Sequence, residues 1–180
     1  MNIFFSSSSS TKIEEEYYED ADYISKKLAK GNTLITGCCM SLGMSGRILN
    51  HFKKNNSKVF LETLEVYKED PKEFPYVTFH YYDNIFDRTK NIYEKSDVLL
   101  ILPGGTGTLS ELFAFIEEAR TQPNKKRIVI YNKNNYYIEI ILLITRFIKE
   151  KFNDENIFNY FSVFNDRDEL INYVLRKGEK

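Results

Sequence analysis

Val98-Leu99-Leu100-Ile101-Leu102 runs directly into Pro103-Gly104-Gly105-Thr106-Gly107-Thr108-Leu109-Ser110-Glu111, and this junction carries the fold and the site together. Five consecutive apolar residues closed by a turn signal read as a fully buried strand. Beyond the turn, Leu109, Leu112, Phe113, Phe115, Ile116 and Ala119 recur at helical spacing. In an open parallel sheet, ligands bind where such a turn hands the carboxyl end of a strand to the N-terminus of a helix.

The same alternation extends in both directions. Ile3-Phe4-Phe5 is a short apolar strand ended by the polar cluster Ser6 to Ser10, and Ile13, Tyr17, Ala21, Ile24 and Leu28 then mark an amphipathic helix stopped at Gly31. Thr33 to Thr36, Lys58 to Leu61 and Tyr76 to Phe79 supply further strands. A turn at Gly37, Gly43 and Gly46 leads to a short helix over Arg47 to Lys53, and Asn84 to Ser96 has helical spacing. Ile128 to Tyr131 is another all-apolar strand, followed by helices over Tyr136 to Lys149 and Arg167 to Leu175, with a frayed tail from Arg176 to Lys180. Continuous apolar strands alternating with helices predict a doubly wound, mostly parallel α/β sheet with helices on both faces. At 180 residues and 42% hydrophobic, the expectation is a single domain over 1–180.

Composition narrows the partners. Lysine plus arginine number 25 against 26 aspartates and glutamates, so there is no net basic field to attract a polynucleotide, and no nucleic-acid partner is expected. No run reaches the roughly 20 apolar residues of a membrane span. Met1 to Phe5 lacks the basic region of a signal peptide. Adjacent Cys38 and Cys39 suit neither a disulfide nor a zinc site, and a cytoplasmic, reducing setting is expected. His51 and His80 are isolated, so no metal is expected.

A small anionic ligand remains. Gly104, Gly105 and Gly107 allow close backbone approach and positive φ angles, while Thr106 and Thr108 add hydroxyl donors, so the loop can ring a phosphate with N–H groups at the positive end of the next helix. The competing reading is a tight strand-to-helix connection without a ligand. No lysine follows the last glycine, which excludes a Walker loop, and the spacing differs from GxGxxG. Glu111 admits two readings: with a helix starting near Thr108, Thr108 and Glu111 form a capping box, and the same geometry points a carboxylate at the mouth of the loop. Ser7 and Ser8 sit at the same sheet edge as donors to a ligand or as turn residues.

Pro103 through Glu111 resembles the PGGxGTxxE signature of the Lonely Guy family, cytokinin-activating phosphoribohydrolases once misnamed lysine decarboxylases. Asp87-Arg88 is similar to the family's acidic-Arg-Lys motif, with Thr89 in place of the lysine, Lys90 one place later and Asp97 opening the next strand. The resemblance runs roughly from Ile3 to Ile148, including Gly37 through Gly46 and Tyr136-Tyr137. It departs at Gly37-Cys38-Cys39-Met40, where the family has consecutive glycines.

The resemblance implies hydrolysis of the N-glycosidic bond of a nucleoside 5′-monophosphate, AMP or an N6-substituted AMP, to free base and ribose 5-phosphate. Glu111 would be the catalytic carboxylate and Arg88 the second catalytic residue, with Gly104 to Thr108, Ser7, Ser8 and Gly37 binding the nucleotide. Without the resemblance, Arg88 reads as a surface arginine on a helix. A homodimer is implied too, joined through the helix beginning near Thr108, where Phe113, Phe115 and Ile116 leave more than one side apolar. The second reading is a non-catalytic protein that binds or senses a nucleotide on the same fold. A pyridoxal-phosphate decarboxylase would need a Schiff-base lysine in an identifiable motif; the sequence has none, and no cofactor is expected.

Overall fold

The computed structural model describes residues 1–37, 42–123 and 126–176, so Cys38, Cys39 and the end of the C-terminal tail lie outside the described residues. Seven strands form one parallel sheet in the order β4-β3-β2-β1-β5-β6-β7: β1 (Asn2–Ser6), β2 (Thr33–Thr36), β3 (Val59–Leu64), β4 (Val77–Tyr82), β5 (Val98–Ile101), β6 (Arg127–Tyr131) and β7 (Phe161–Phe164). Among the described residues six α-helices connect or follow them: α1 (Glu15–Leu28), α2 (Gly43–Lys54), α3 (Ile85–Lys95), α4 (Thr106–Thr121), α5 (Ile138–Lys149) and α6 (Arg167–Leu175). Among the described residues no helix is long and apolar enough to cross a membrane.

Period-two side-chain alternation explains why the strands are apolar throughout. Ile3, Phe5, Val98, Leu100 and Val129 pack on one face with Ile24 and Leu28 of α1, Phe52 of α2 and Leu170 of α6. Phe4, Leu99, Ile101, Ile128 and Ile130 point the other way, onto Ile92 of α3, Phe115 of α4 and Ile144 of α5. Both faces of each central strand are therefore core. The Phe4 and Phe115 rings meet edge to face at 5.6 Å across the second layer.

The largest departures from the sequence expectation are at α2, α4 and β7. Gly43 and Gly46 lie inside α2, which starts four residues before Arg47; Gly43 takes a positive φ of 60° and the helix continues from it. Helix α4 starts at Thr106 instead of near Thr108, and Gly104, Gly105 and Gly107 all avoid positive φ, so the loop uses its glycines for space and not for left-handed backbone. Strand β7 was hidden because its residues alternate in exposure and it adds only four residues at the sheet edge. On α4, Phe115 and Ile116 are buried in the chain's own core, leaving Phe113 at 36% exposure as the outward member of the trio expected to meet a partner.

Two buried carboxylates hold the outer elements. Glu62 of β3, with no exposed surface, receives Lys95 at 2.9 and 3.1 Å, His80 at 2.9 Å and the Tyr82 hydroxyl. Asp20 of α1 receives Tyr131 at 2.8 Å, Lys133 at 2.6 Å and Arg167 at 2.9 Å. Burial alone would raise both pKa values, but the hydrogen bonds outweigh it and hold both below their ordinary values of 4.5 and 3.8. By linkage, the stability these groups contribute is complete above those ordinary values and is lost as pH falls through the lower folded ones. Acid unfolding followed by circular dichroism should show stability declining only below about pH 4.5, with Glu62→Gln removing part of that slope.

Candidate functional site

Strand order reverses direction at β1: the chain walks outward through β2, β3 and β4, then returns to the other side with β5. Connections leaving β1 and β5 diverge there and open a crevice at the carboxyl ends of the strands. Ser6 and Ile101 are paired in register at the carboxyl ends of these two strands. A cleft of about 610 Å³ opens there, lined by Ser7 to Ser10, Gly37, Arg88, Gly105 to Thr108, Ser110 and Glu111, with Leu64, Tyr67 and Ile85 on its apolar side. That volume falls in the range of small-molecule sites.

Glu111 sits in the second turn of α4 because the helix begins at Thr106, so it forms no capping box with Thr108. Its carboxylate lies between two partners: Arg88 Nη2 donates to Oε1 at 2.9 Å and Ser6 Oγ donates to Oε2 at 2.5 Å. With the side chain 13% exposed, each carboxylate oxygen retains a lone pair for a water or a ligand hydroxyl. Arg88 is no surface arginine, its side chain being 6% exposed. Besides Glu111, it donates from Nε to the Glu62 carbonyl at 2.8 Å and from Nη2 to the Gly37 carbonyl at 2.9 Å. Asn84 caps α3 by accepting from the Asp87 N–H at 3.0 Å, which fixes the turn that delivers Arg88.

Gly37 is required by closeness. A Cβ there would lie 1.8 Å from Arg88 Nη2 and 3.4 Å from Glu111 Oε1. Gly104 is equally crowded, with a Cβ only 2.2 Å from Thr108 Oγ1, whereas Gly105 and Gly107 face open space. The α4 N-cap is Gly105 and no side chain caps the helix, so the first-turn N–H groups stay available at the positive end of its dipole. Ser8 and Ser7 line the cleft, and both are tied to α2: the Ser8 carbonyl accepts from the Met44 N–H at 3.0 Å, and Ser7 Oγ lies 3.2 Å from Ser45 Oγ.

That contact is close because Gly43 has no side chain; a Cβ would approach the Ser9 carbonyl carbon to 2.6 Å and the Ser8 oxygen to 2.8 Å. Gly43→Ala, strained at its φ of 60° as well, should cost about 1–3 kcal/mol and push the serine loop into the cleft, read as a lower thermal midpoint and weaker ligand binding.

Some expected residues fall elsewhere. Asp97 lies at the amino end of the sheet, where its carboxylate accepts from the Asn2 N–H at 2.8 Å, away from the cleft. Lys90 is exposed and faces Glu94 at 4.0 Å. Ser6 was missed, although the last residue of a strand beside the glycine turn was the place to look. Leu64, Tyr67 and Ile85 carry no motif and surface only when β3 and α3 are placed.

These features define a doubly wound α/β protein with a carboxylate-bearing crevice at its topological switch point. The family model described as "Possible lysine decarboxylase" matches residues 44–174, and the chain belongs to that family, the Lonely Guy (LOG) family. A protein of Oryza sativa subsp. japonica named "Probable cytokinin riboside 5'-monophosphate phosphoribohydrolase LOG4" is 27% identical over 88 residues, 49% of this chain; the match spans 38% of the rice protein's length. Among solved structures, the molybdenum cofactor carrier protein of Chlamydomonas reinhardtii aligns at TM-score 0.69 and 17% identity over 96% of this chain and 94% of that one. The molybdenum cofactor binding protein of Rippkaea orientalis aligns at TM-score 0.59 and 15% identity over 96% and 93%. At such identities the likeness is one of fold.

Proposed function

We propose that the protein is a phosphoribohydrolase that cleaves the N-glycosidic bond of a nucleoside 5′-monophosphate, AMP or an N6-substituted AMP. The observation that carries this reading is the fixed Glu111 carboxylate, held between Ser6 and Arg88 beside the uncapped start of α4. The first-turn N–H groups and the Gly104–Gly105 loop take the phosphate, which sets the ribose at a defined distance from Glu111. As the C1′–N bond breaks, positive charge grows on the sugar and the neighbouring carboxylate stabilises it. Glu111 then accepts a proton from the attacking water, whose oxygen bonds to C1′, while the base departs with the bond electrons and takes up a proton from solvent, and Glu111 returns its own proton to solvent. Arg88 keeps the carboxylate in the orientation this requires.

The family membership and the rice relative support the reaction class; the carboxylate geometry supports the roles of Glu111 and Arg88. The protein incubated with AMP and with N6-isopentenyl-AMP should release free base, measured by chromatography. Binding of both nucleotides with no base released would favour the second reading, a non-catalytic carrier, which the likeness in fold to the two molybdenum cofactor proteins keeps in view.

A further inference from the structure

Two adjacent tyrosines from the segment after β6 reach the glycine turn after β5. Tyr137 Oη donates to the Leu102 carbonyl at 2.7 Å and Tyr136 Oη to the Gly104 carbonyl at 2.9 Å. The two contacts differ in consequence. The Leu102 carbonyl shares its peptide with Pro103, which has no N–H, so that donation aims no amide, and the Tyr137 hydroxyl is engaged by the Gly104 backbone as well. The Gly104 carbonyl shares its peptide with the N–H of Gly105, and the described residues contain no cis peptide. In a trans peptide the C=O and N–H point in opposite directions, so fixing one aims the other.

We propose that Tyr136 is a positioning residue for the anion loop: by holding the Gly104 carbonyl, its hydroxyl turns the Gly105 N–H away from itself and toward the cleft. Resting on the phosphate-binding role given to this loop under the proposed function, the proposal adds a residue outside the glycine motif that determines preference for phosphorylated ligands. Gly105 is exposed and lines the cleft, whereas Tyr136 stands outside that lining. Without the clamp, a glycine-rich peptide could flip at little cost, exchanging a donor for an acceptor in front of the phosphate.

The tyrosine is itself held firmly. Its ring packs edge to face on Tyr137 at 4.9 Å and on Tyr17 at 5.9 Å. The backbone beneath it is anchored by the Tyr137 N–H donating to Asn132 Oδ1 at 2.7 Å and by Lys133 paired with Asp20. Such support makes the hydroxyl a fixed donor instead of a mobile one.

The test compares AMP with adenosine by titration calorimetry on the wild type and on Tyr136→Phe, which keeps the ring contacts and removes one hydrogen bond. AMP should bind the variant about five- to tenfold more weakly, the worth of one such bond, with adenosine unchanged. In turnover the loss should appear in KM with kcat little affected. Equal weakening of AMP and adenosine, or of neither, would overturn the proposal. A wild type that prefers AMP no more than adenosine would instead sink the phosphate-loop reading itself. Should Tyr136→Phe fail to fold, the wild-type Gly105 amide resonance decides: a shift with AMP and none with adenosine supports the assignment, and no shift with AMP refutes it.

Discussion

Glu111→Gln should lower base release by about 10²–10⁴-fold while AMP still binds, because the substitution keeps shape and removes the charge and the proton acceptor. The amide oxygen can still accept from Arg88, and Ser6 Oγ can turn to accept from the new NH2, so the surrounding contacts survive. The loss should therefore fall on kcat. Retention of wild-type release would show that another group does the chemistry, and loss of AMP binding together with activity would show that Glu111 builds the site instead of acting in it. Single-turnover kinetics with saturating AMP separates these outcomes.

Arg88→Ala should be destructive in a different way. One guanidinium satisfies the Glu111 carboxylate and the Gly37 and Glu62 carbonyls, and the ion pair is nearly buried, with side-chain exposures of 6% and 13%. Removing one partner of such a pair costs roughly 3 kcal/mol or more. For a chain of this size that is a fall of about 6–12 °C in thermal midpoint. Activity should fall at least a hundredfold, since a carboxylate free to swing no longer faces the sugar. Arg88→Lys restores a charge but not a fork able to reach three acceptors, so it should recover little of either loss. A variant with unchanged midpoint would contradict the pairing of Arg88 with Glu111. Stability measured by calorimetry without ligand isolates this effect from binding.

The parallel sheet was legible because its strands are apolar on both faces, a pattern that surface strands do not show. Val98 to Leu102 and Ile128 to Tyr131 announced themselves this way, and the glycine turn after the first of them marked the sheet end where the crevice lies. Helix starts were harder to place. Thr106 and Gly107 are poor helix formers by propensity, yet both are helical, since tertiary contacts override a cost of about 1 kcal/mol for the glycine, and Gly43 opens α2 from a left-handed φ. That two-residue error at α4 is what allowed a capping box between Thr108 and Glu111 to compete with a role in the cleft. Arg88 could be placed on a helix, but its burial depended on where β2 and β3 end, and nothing in local spacing encodes one carbonyl in β3 and one just past β2, 26 and 51 residues away. Ser6 illustrates the same limit: its partner is 105 residues distant.

The ordering of the sheet has a bearing on where substitutions are felt. Ser6, Gly37, Arg88 and Glu111 all precede β6, and the chain beyond β6 reaches the crevice rim through a pair of phenolic hydroxyls. Substitutions at the outer faces of β7 and α6 should therefore register in folding stability and leave the shape of the cleft alone, so long as those two struts persist.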